Sequence, residues 1–506
     1  MAYAETTAGR VRGTEEGGTQ VFRGIPYAAP PVGSRRFAPP EPMPRWKGER
    51  DAVEFGPISH QASIGLPMMG GDGQPQSEDC LYLNVWTPST TGSRPVMVWI
   101  HGGAFVFGAG SDALYDGRRL AASQDVVVVT VNYRLGALGY LAHPALRNER
   151  TGACGNWGLL DQIAAVRWVR DNAAAFGGDP DNITIFGESA GSMSVTTMMG
   201  APAAKGLFGR VIGQSGAPMV AAPEEAQDTA ERLLSAAGIG AAALRGAPAA
   251  QILEAQQRVM TEAAAGGLGA RPNGEAMPFR PTLDGAVLAR HPVDAVAEGH
   301  AAGVSLLTGT NRDEMKLFAM LDQAELDDDA VVERLAEGGA GGEEAARIVA
   351  VYRDARTRRG EPIEAKELWT AIETDRFFRT AAHRLAAAHA RHEPSTYSYL
   401  FCWSSPMPML GAAHAVEVPF VFGTLDAPMI DMFAGSGPGA ERLSSRMQEA
   451  WAAFARDGQP SVRGADRWPA FGEASRGVMV IGDDWTVEAN PRGAELDCWL
   501  PRTSVA

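Results

Sequence analysis

The stretch Ile183 to Ser192, ITIFGESAGS, decides the fold of this chain. Its first four residues predict a short buried strand, and the residues after Ser189 can continue as a helix. A sharp strand-to-helix turn exposes a serine hydroxyl, and Gly187 and Gly191 leave room for the neighbouring backbone. The pattern predicts that Ser189 is a nucleophile, although a serine that only caps the helix would produce the same five residues.

The segments before this turn predict a parallel sheet. Val96 to Ile100 is an unbroken apolar run and Val126 to Val131 is interrupted only by Thr130, as strands buried on both faces require. Apolar residues recur at helical spacing from Leu159 to Val169, and a glycine pair at 177–178 ends that helix. Alternating strands and helices indicate an α/β fold with a mostly parallel, doubly wound sheet. Later strands are predicted at 211–214, 304–309 and 397–403.

Two long stretches rich in Ala, Glu, Arg and Leu interrupt this alternation. They run from about residue 223 to 265 and from about 323 to 390, and they favour helices that cover the sheet or form a lid over the active site. The chain has no repeat of fixed period, and its glycine and proline clusters are short enough to be loops. We therefore expect one domain over residues 1–506.

A glycine-rich turn, HGGAF, follows the strand predicted to end at Ile100. Its small residues let backbone N–H groups face a developing negative charge, and one such donor stabilises a transition state by about 3 kcal/mol. With the residue after the candidate nucleophile, three donors are predicted: Gly103, Ala104 and Ala190. An ordinary glycine turn is the alternative, but the position at the carboxyl end of a sheet strand favours the functional interpretation.

A serine hydroxyl needs an imidazole to take its proton, and the imidazole needs a carboxylate to orient it. In sites of this kind the order along the chain is Ser, Asp or Glu, then His. His414 follows the strand predicted at 397–403 and has the place of the base. Asp313 and Glu314 follow the strand predicted at 304–309, and either could be the acid. Three other histidines lie in a predicted helix and are expected at the surface: His383, His389 and His392.

Charge and composition exclude several classes of function. The net charge of -15 and the absence of a basic run disfavour nucleic acid as a partner. The apolar runs are too short to span a membrane, and charged residues near the start interrupt any signal-peptide core. The four cysteines form no C-x-x-C pair, so we expect no disulfide framework, no metal site and a cytoplasmic location.

Taken together, these segments resemble the type-B carboxylesterase/cholinesterase family, and within it the bacterial para-nitrobenzyl esterases most closely. The likeness runs along nearly the whole chain and is carried, in order, by FRGIPYAAPPVGSRRF, SEDCLYLNVWTP, WIHGGAF, VNYRLGALGY, GNWGLLDQIAAVRWVRDNAAAFGGDPDNITIFGESAGS, GQSGA, GTNRDE, AHAVEVPFVFG and WAAFARDGQP. The resemblance implies the α/β-hydrolase fold and a serine carboxylesterase. It also implies cleavage of small-molecule esters through an acyl-enzyme, with no cofactor.

The resemblance assigns roles that the residue pattern leaves open. It makes Glu314 the acid, because this family uses glutamate, and it matches Gly103, Ala104 and Ala190 to the oxyanion donors. Glu188 and Ser215 match positions that support the site from behind the nucleophile in relatives. The catalytic set expected by resemblance is Ser189, Glu314 and His414.

The chain also departs from its relatives. Secreted members join the cysteine of EDCLYLN to one upstream, whereas here the matching position is Ser59, which leaves Cys80 unpaired. Cholinesterases hold choline against a tryptophan shortly before that cysteine. This chain has Met68, Met69 and two glycines there, within a loop at 63–74 expected to border the entrance. A choline ester is therefore not the expected substrate.

Two alternatives to an esterase stay open at this point. The same fold includes adhesion proteins without a nucleophile, so a cholinesterase-like binding protein is one rival. An amide or carbamate hydrolase with the same three residues is the other, because leaving-group protonation and pocket shape separate these reactions. The intact serine, acid and histidine favour an enzyme, which we expect to be a monomer or weak homo-oligomer.

Overall fold

A computed structural model describes residues 1–63, 73–264, 277–320 and 325–500 of the chain. In these residues thirteen strands form one sheet. The strands are β1 (Ala2–Glu5), β2 (Arg10–Glu16), β3 (Thr19–Pro26), β4 (Glu49–Asp51), β5 (Tyr82–Thr87), β6 (Arg94–Ile100), β7 (Val127–Val131), β8 (Gly178–Glu188), β9 (Arg210–Gln214), β10 (Ser305–Asn311), β11 (Thr396–Phe401), β12 (Gly477–Ile481) and β13 (Trp485–Ala489).

The order of the strands confirms the predicted mostly parallel sheet. Neighbours follow the order β1-β2-β3-β5-β7-β6-β8-β9-β10-β11-β12-β13, with β4 beside β2. All pairs from β7 to β12 are parallel, and the pairs at both margins are antiparallel except for β2 with β4, which is parallel. The order reverses at β6, which lies between β7 and β8. Ligand sites in open α/β sheets form at the carboxyl ends of strands beside such a reversal.

Strand β6 shows that the sheet is buried on both faces, as its continuous apolar sequence predicts. Val96, Val98 and Ile100 belong to one hydrophobic core, while Met97 and Trp99 belong to the other. All five side chains are fully buried. Because successive residues of a strand point to opposite faces, helices must cover both sides of the sheet.

Helices cover the two faces and fill both predicted insertions. They are α1 (Arg118–Gln124), α2 (Gly136–Tyr140), α3 (Trp157–Asn172), α4 (Ala190–Met198), α5 (Pro223–Ala237), α6 (Ala249–Ala264), α7 (Pro292–Ala297), α8 (Met315–Ala319), α9 (Asp328–Leu335), α10 (Gly342–Arg359), α11 (Ala365–Thr374), α12 (Thr380–Ala390), α13 (Val418–Phe422), α14 (Ile430–Phe433), α15 (Pro438–Asp457) and α16 (Gly493–Leu496).

The first insertion contains α5 and α6, and the second contains α9 to α12 with a π-helical turn at Asp375–Arg379. Residue 265 of the first insertion and residues 323 and 324 of the second lie outside the described residues, as do residues 64–72 of the predicted entrance loop. No helix in the part of the chain that the structure describes is long and apolar enough to cross a membrane.

Two features differ from the sequence predictions. Strand β8 begins at Gly178 rather than at Ile183, because Gly178 pairs with Arg94 of β6 ahead of an irregular stretch, after which the regular ladder starts at Ile183. His389 is buried and not at the surface, since α12 packs on the sheet and the ring hydrogen-bonds the Thr396 hydroxyl at 2.7 Å. Burial lowers the pKa of His389 to about 4. His392 is exposed, as expected.

Candidate active site

Ser189 lies at the tip of the turn between β8 and α4. Its φ of 55° and ψ of -124° belong to a region that side-chain-bearing residues rarely adopt. Two backbone hydrogen bonds hold the turn. The Ser189 N–H donates to the Gln214 carbonyl at the end of β9 (2.9 Å), and the Ser189 carbonyl accepts from the Met193 N–H in α4 (2.8 Å). The side chain makes no capping hydrogen bond to α4, so Ser189 does not act as a helix cap.

The two glycines that flank Ser189 are required by contact with β6. A Cβ atom on Gly191 would lie 1.9 Å from the Ile100 carbonyl oxygen, and one on Gly187 would lie 2.6 Å from the same atom. Both distances are far below van der Waals contact, and the atom they meet is backbone that cannot rotate away. The turn therefore follows the strand-to-helix geometry predicted from ITIFGESAGS.

The HGGAF turn lies beside Ser189 at the same edge of the sheet. Ile100 pairs with Gly187, so the turns that follow β6 and β8 start side by side. Gly103, Ala104 and Phe105 all have positive φ values (103°, 50° and 63°). A Cβ atom on Gly103 would lie only 2.1 Å from the Phe107 carbonyl oxygen, which explains glycine at that position.

The backbone N–H groups of the three predicted oxyanion donors have no acceptor among the described residues. Gly103 and Ala104 belong to the turn after β6, and Ala190 begins α4, where the first N–H groups lack intrahelical partners. Unpaired donors at one site are typical of an anion-binding position.

His414 and Glu314 form a buried pair. The Nδ1 atom of His414 lies 2.7 Å from Oε2 of Glu314, and the His414 side chain is 3% exposed while that of Glu314 is fully buried. The other carboxylate oxygen of Glu314 accepts the Asn311 N–H at 2.7 Å. Both oxygens of the carboxylate are therefore occupied, which holds the imidazole in one orientation.

Asp313 turns away from the histidine. Its Oδ2 atom accepts the Ala412 N–H and the Arg312 Nε–H, each at 2.9 Å. Burial opposes the charge of Asp313, but Arg312 outweighs burial and lowers its pKa. Of the two carboxylates that the residue pattern left open, the structure brings Glu314 to His414.

The second ring nitrogen of His414 faces Glu188. The distance from Nε2 to Glu188 Oε1 is 3.0 Å, and the structure has no hydrogen bond between the imidazole and the Ser189 hydroxyl. The Glu188 carboxylate and the Ser189 side chain nevertheless both lie next to Gly102. A Cβ atom on Gly102 would lie 2.9 Å from Glu188 Oε2 and 3.1 Å from Ser189 Cβ. The imidazole thus lies between two carboxylates, next to the strained serine.

This placement alters the acidity of His414. Burial of the ring lowers its pKa, but the carboxylates of Glu188 and Glu314 outweigh burial and raise the pKa well above its ordinary value. The rings of Phe318 and Phe378 pack against the imidazole, with centroids 5.1 and 4.8 Å away. Phe378 belongs to the π-helical turn of the second insertion, so that insertion reaches the site.

A third carboxylate, Glu417, was missed by the sequence analysis. It is fully buried and accepts hydrogen bonds from Asn311 Nδ2 (2.6 Å) and Gln214 Nε2 (3.2 Å). Burial, reinforced by the charges of Glu188 and Glu314, raises the pKa of Glu417 to about 8. The available signal was its position three residues after His414 in AHAVEVPF.

Ser215 lies one residue beyond the carbonyl that holds the serine turn. Its φ is 54°, its N–H donates to the Gly309 carbonyl at 2.8 Å, and its hydroxyl is buried without a hydrogen-bond partner among the described residues. Across the part of the chain that the structure describes, no group of three or more His, Cys, Asp or Glu side chains could hold a metal ion.

Comparison with known proteins shows the family of the chain. The model of the Carboxylesterase family matches residues 2–499. The chain belongs to the carboxylesterase family. It is 40% identical over 501 residues to the para-nitrobenzyl esterase of Bacillus subtilis (strain 168), and the match covers 98% of each chain.

Solved structures show the same relationship. A PNB esterase superimposes with a TM-score of 0.87 at 38% identity and covers 99% of each chain. A carboxylesterase of Geobacillus stearothermophilus gives 0.86 at 39% identity, covering 99% of this chain and 100% of the other. The fold of this carboxylesterase is thus the α/β-hydrolase fold, and its activity is the hydrolysis of small-molecule carboxylic esters. The binding-protein and amide or carbamate alternatives are not favoured.

Proposed function

We propose that Ser189 is the nucleophile of this carboxylesterase, His414 its general base and Glu314 the acid that orients the imidazole. The observation that carries the proposal is the buried 2.7 Å pair between His414 Nδ1 and Glu314, next to a strained serine at the switch point of the sheet. Attack on the ester carbonyl forms an acyl-enzyme and releases the alcohol. Water, activated by the same imidazole, then releases the acid.

The negative charge that develops on the carbonyl oxygen is received by the N–H groups of Gly103, Ala104 and Ala190. Their lack of protein acceptors supports this role, because donors fixed before the reaction need no reorganisation during it. Glu188 and Ser215 support the site from behind the nucleophile, since Glu188 approaches His414 and Ser215 follows the residue that binds the Ser189 N–H.

Proton transfer requires His414 Nε2 to turn from Glu188 towards the Ser189 hydroxyl. Glu188 and Ser189 are consecutive residues, so a small rotation of the imidazole spans the change while the Nδ1 hydrogen bond to Glu314 is kept. While the tetrahedral intermediate exists, before the imidazolium gives its proton to the departing alcohol, Glu188 remains beside it and stabilises its charge.

The ring of Phe318 supports an apolar substrate. It is half-buried and packs against His414, so an ester bound at Ser189 meets an aromatic surface beside the base.

We also propose that the enzyme acts in a reducing compartment, the cytoplasm. All four cysteines are free, and Cys80 is buried next to the Ser59 hydroxyl.

Hydrolysis of a para-nitrophenyl ester by the Ser189→Ala variant tests the nucleophile. We expect kcat to fall by about 10³-fold or more, because the acyl-enzyme cannot form. Ser192→Ala is the matched control, since its hydroxyl binds the Gly216 carbonyl at 2.7 Å and takes no part in the proposed reaction. Full activity of the folded Ser189→Ala variant would refute the assignment.

Covalent labelling gives a second test. A fluorophosphonate should modify one serine, and peptide mapping should place the label on Ser189. A panel of esters of increasing acyl length, together with matched amides, defines the preferred substrate. A label on any other serine would contradict the proposal even if the Ser189→Ala variant were inactive.

A further inference from the structure

We infer that Gln61 is a positioning residue that fixes the oxyanion turn of this enzyme; the inference rests on the oxyanion donors proposed above. Gln61 belongs to none of the sequence motifs and lies between Ser59 and the undescribed part of the loop before Cys80. Its side chain is buried, with 4% of the residue exposed. A buried primary amide must find several hydrogen-bond partners, and those partners indicate what it holds.

The Gln61 amide binds both backbone groups of Gly108. Its Nε2 donates to the Gly108 carbonyl at 3.1 Å, and its Oε1 accepts the Gly108 N–H at 2.8 Å. The second Nε2 hydrogen goes to the Ser59 carbonyl, also at 3.1 Å. Every hydrogen of the amide is therefore used, and two of its three contacts fall on one glycine.

Gly108 lies directly behind the oxyanion turn. With φ at 104°, a Cβ atom on Gly108 would lie 2.8 Å from the Gly102 carbonyl oxygen and 2.5 Å from the His101 ring. The Gly102 carbonyl belongs to the peptide group whose N–H is that of Gly103. A displacement of Gly108 therefore presses on the very peptide that we propose as an oxyanion donor.

The turn is also tied to neighbouring segments at two points other than Gly108, because the Gly136 N–H donates to the Phe105 carbonyl (2.7 Å) and the Asn132 side chain accepts the Gly110 N–H (2.8 Å). Between 103 and 107 its internal hydrogen bonds run from the Val106 and Phe107 N–H groups to the Gly103 carbonyl. These bonds shape the turn but do not tie it to another segment. Gln61 connects the end of the turn to a separate part of the chain, so its amide sets where the Gly103 N–H points.

The contact pattern requires an amide rather than a carboxylate. An ionised carboxylate at this position would direct oxygen at two carbonyl oxygens and could not donate to Gly108. A protonated carboxyl group could restore the pair with Gly108, because its O–H donates while its C=O accepts. The Gln61→Glu variant should therefore be active relative to the native enzyme only at low pH, which a merely structural role would not produce.

The first experiment compares Gln61→Ala with Gln74→Ala on a para-nitrophenyl ester. Gln74 joins the same two segments through the Ser111 hydroxyl, three residues after Gly108, and is the matched control. We expect Gln61→Ala to lower kcat by about tenfold to a hundredfold with KM changed less than about twofold, since a misplaced donor weakens transition-state binding alone. Its Ki for an aryl trifluoromethyl ketone should rise by the same factor, while Gln74→Ala stays near native values.

The second experiment keeps the test informative if Gln61→Ala does not fold. The ratio of kcat for Gln61→Glu to native kcat should rise as pH falls, because protonation of the introduced carboxyl group restores the pair. Three results would overturn the role of Gln61. They are an equal fall of kcat in Gln61→Ala and Gln74→Ala, a rise of KM without a fall of kcat, and a kcat ratio for Gln61→Glu that does not change with pH. Native kcat in the Gln61 variants beside an inactive Ser189→Ala would refute this inference alone, whereas an active Ser189→Ala would refute the proposed function.

Discussion

Replacing Glu188 with glutamine tests whether the carboxylate beside His414 controls its charge. Glu188→Gln keeps the shape of the side chain and removes one negative charge 3.0 Å from His414 Nε2. Two unit charges at that distance attract by about 1.4 kcal/mol at the dielectric of water and by about 5.5 kcal/mol at an effective dielectric of 20. The lower figure is the cautious one for an amide that still accepts a hydrogen bond, and it corresponds to about a tenfold effect.

The substitution Glu188→Gln changes kcat/KM in two ways, one above the pKa of His414 and one below it. His414 must be neutral to act as a base, and the carboxylates of Glu188 and Glu314 raise its pKa against the lowering effect of burial, so activity is lost as pH falls through that raised pKa. The variant loses stabilisation of the imidazolium in the transition state, so its kcat/KM on the plateau above the raised pKa should be about tenfold lower. Its His414 also stays neutral to lower pH, so the ratio of variant to native kcat/KM should rise as pH falls.

The assay is kcat/KM for a para-nitrophenyl ester from acid to alkaline pH. Asp313→Asn is the control, because Asp313 is a partly buried carboxylate next to Glu314 that accepts hydrogen bonds from Ala412 and Arg312 and does not contact the imidazole. Its ratio to the native enzyme should not depend on the pKa of His414. A Glu188→Gln ratio that is constant with pH, or that falls as pH falls, would refute the reasoning.

Two further predictions follow from buried groups near the site. Because the pKa of Glu417 is raised to about 8, this carboxyl group is neutral at lower pH. The Glu417→Gln variant should therefore match the native kcat/KM below about pH 7 and differ from it above about pH 8, which kcat/KM measured at a series of pH values would show. The Ser59 hydroxyl contacts the Cys80 thiol, so Ser59→Cys should form a disulfide under oxidising conditions and stabilise the fold by about 3 kcal/mol, measured as a reductant-sensitive rise in Tm. Because Cys154, Cys402 and Cys498 are also free, the oxidised and unfolded variant should have only these three titratable thiols, and the titration of all five would contradict the prediction.

Much of the framework could be predicted from local patterns. Continuous apolar runs predicted β6 and β7 because a strand buried on both faces has no polar face to show. The glycines around Ser189 predicted the turn because the space they leave is needed wherever a strand bends sharply into a helix. The polar first half of β8 was not predicted, since it lacks an apolar pattern and pairs with β6 only through Gly178 and Arg94 before an irregular stretch.

The sequence by itself determined the secondary structure around the switch point, because this depends on residues close along the chain. The order of serine, acid and histidine could also be predicted, because it is a property of the linear sequence. Only the tertiary structure decided that Glu314 and not Asp313 meets His414, that Glu188 occupies the other ring nitrogen, and that Glu417 is buried among these charges. The direction of a side chain and the loss of water around it depend on segments hundreds of residues apart, and no local pattern encodes that convergence.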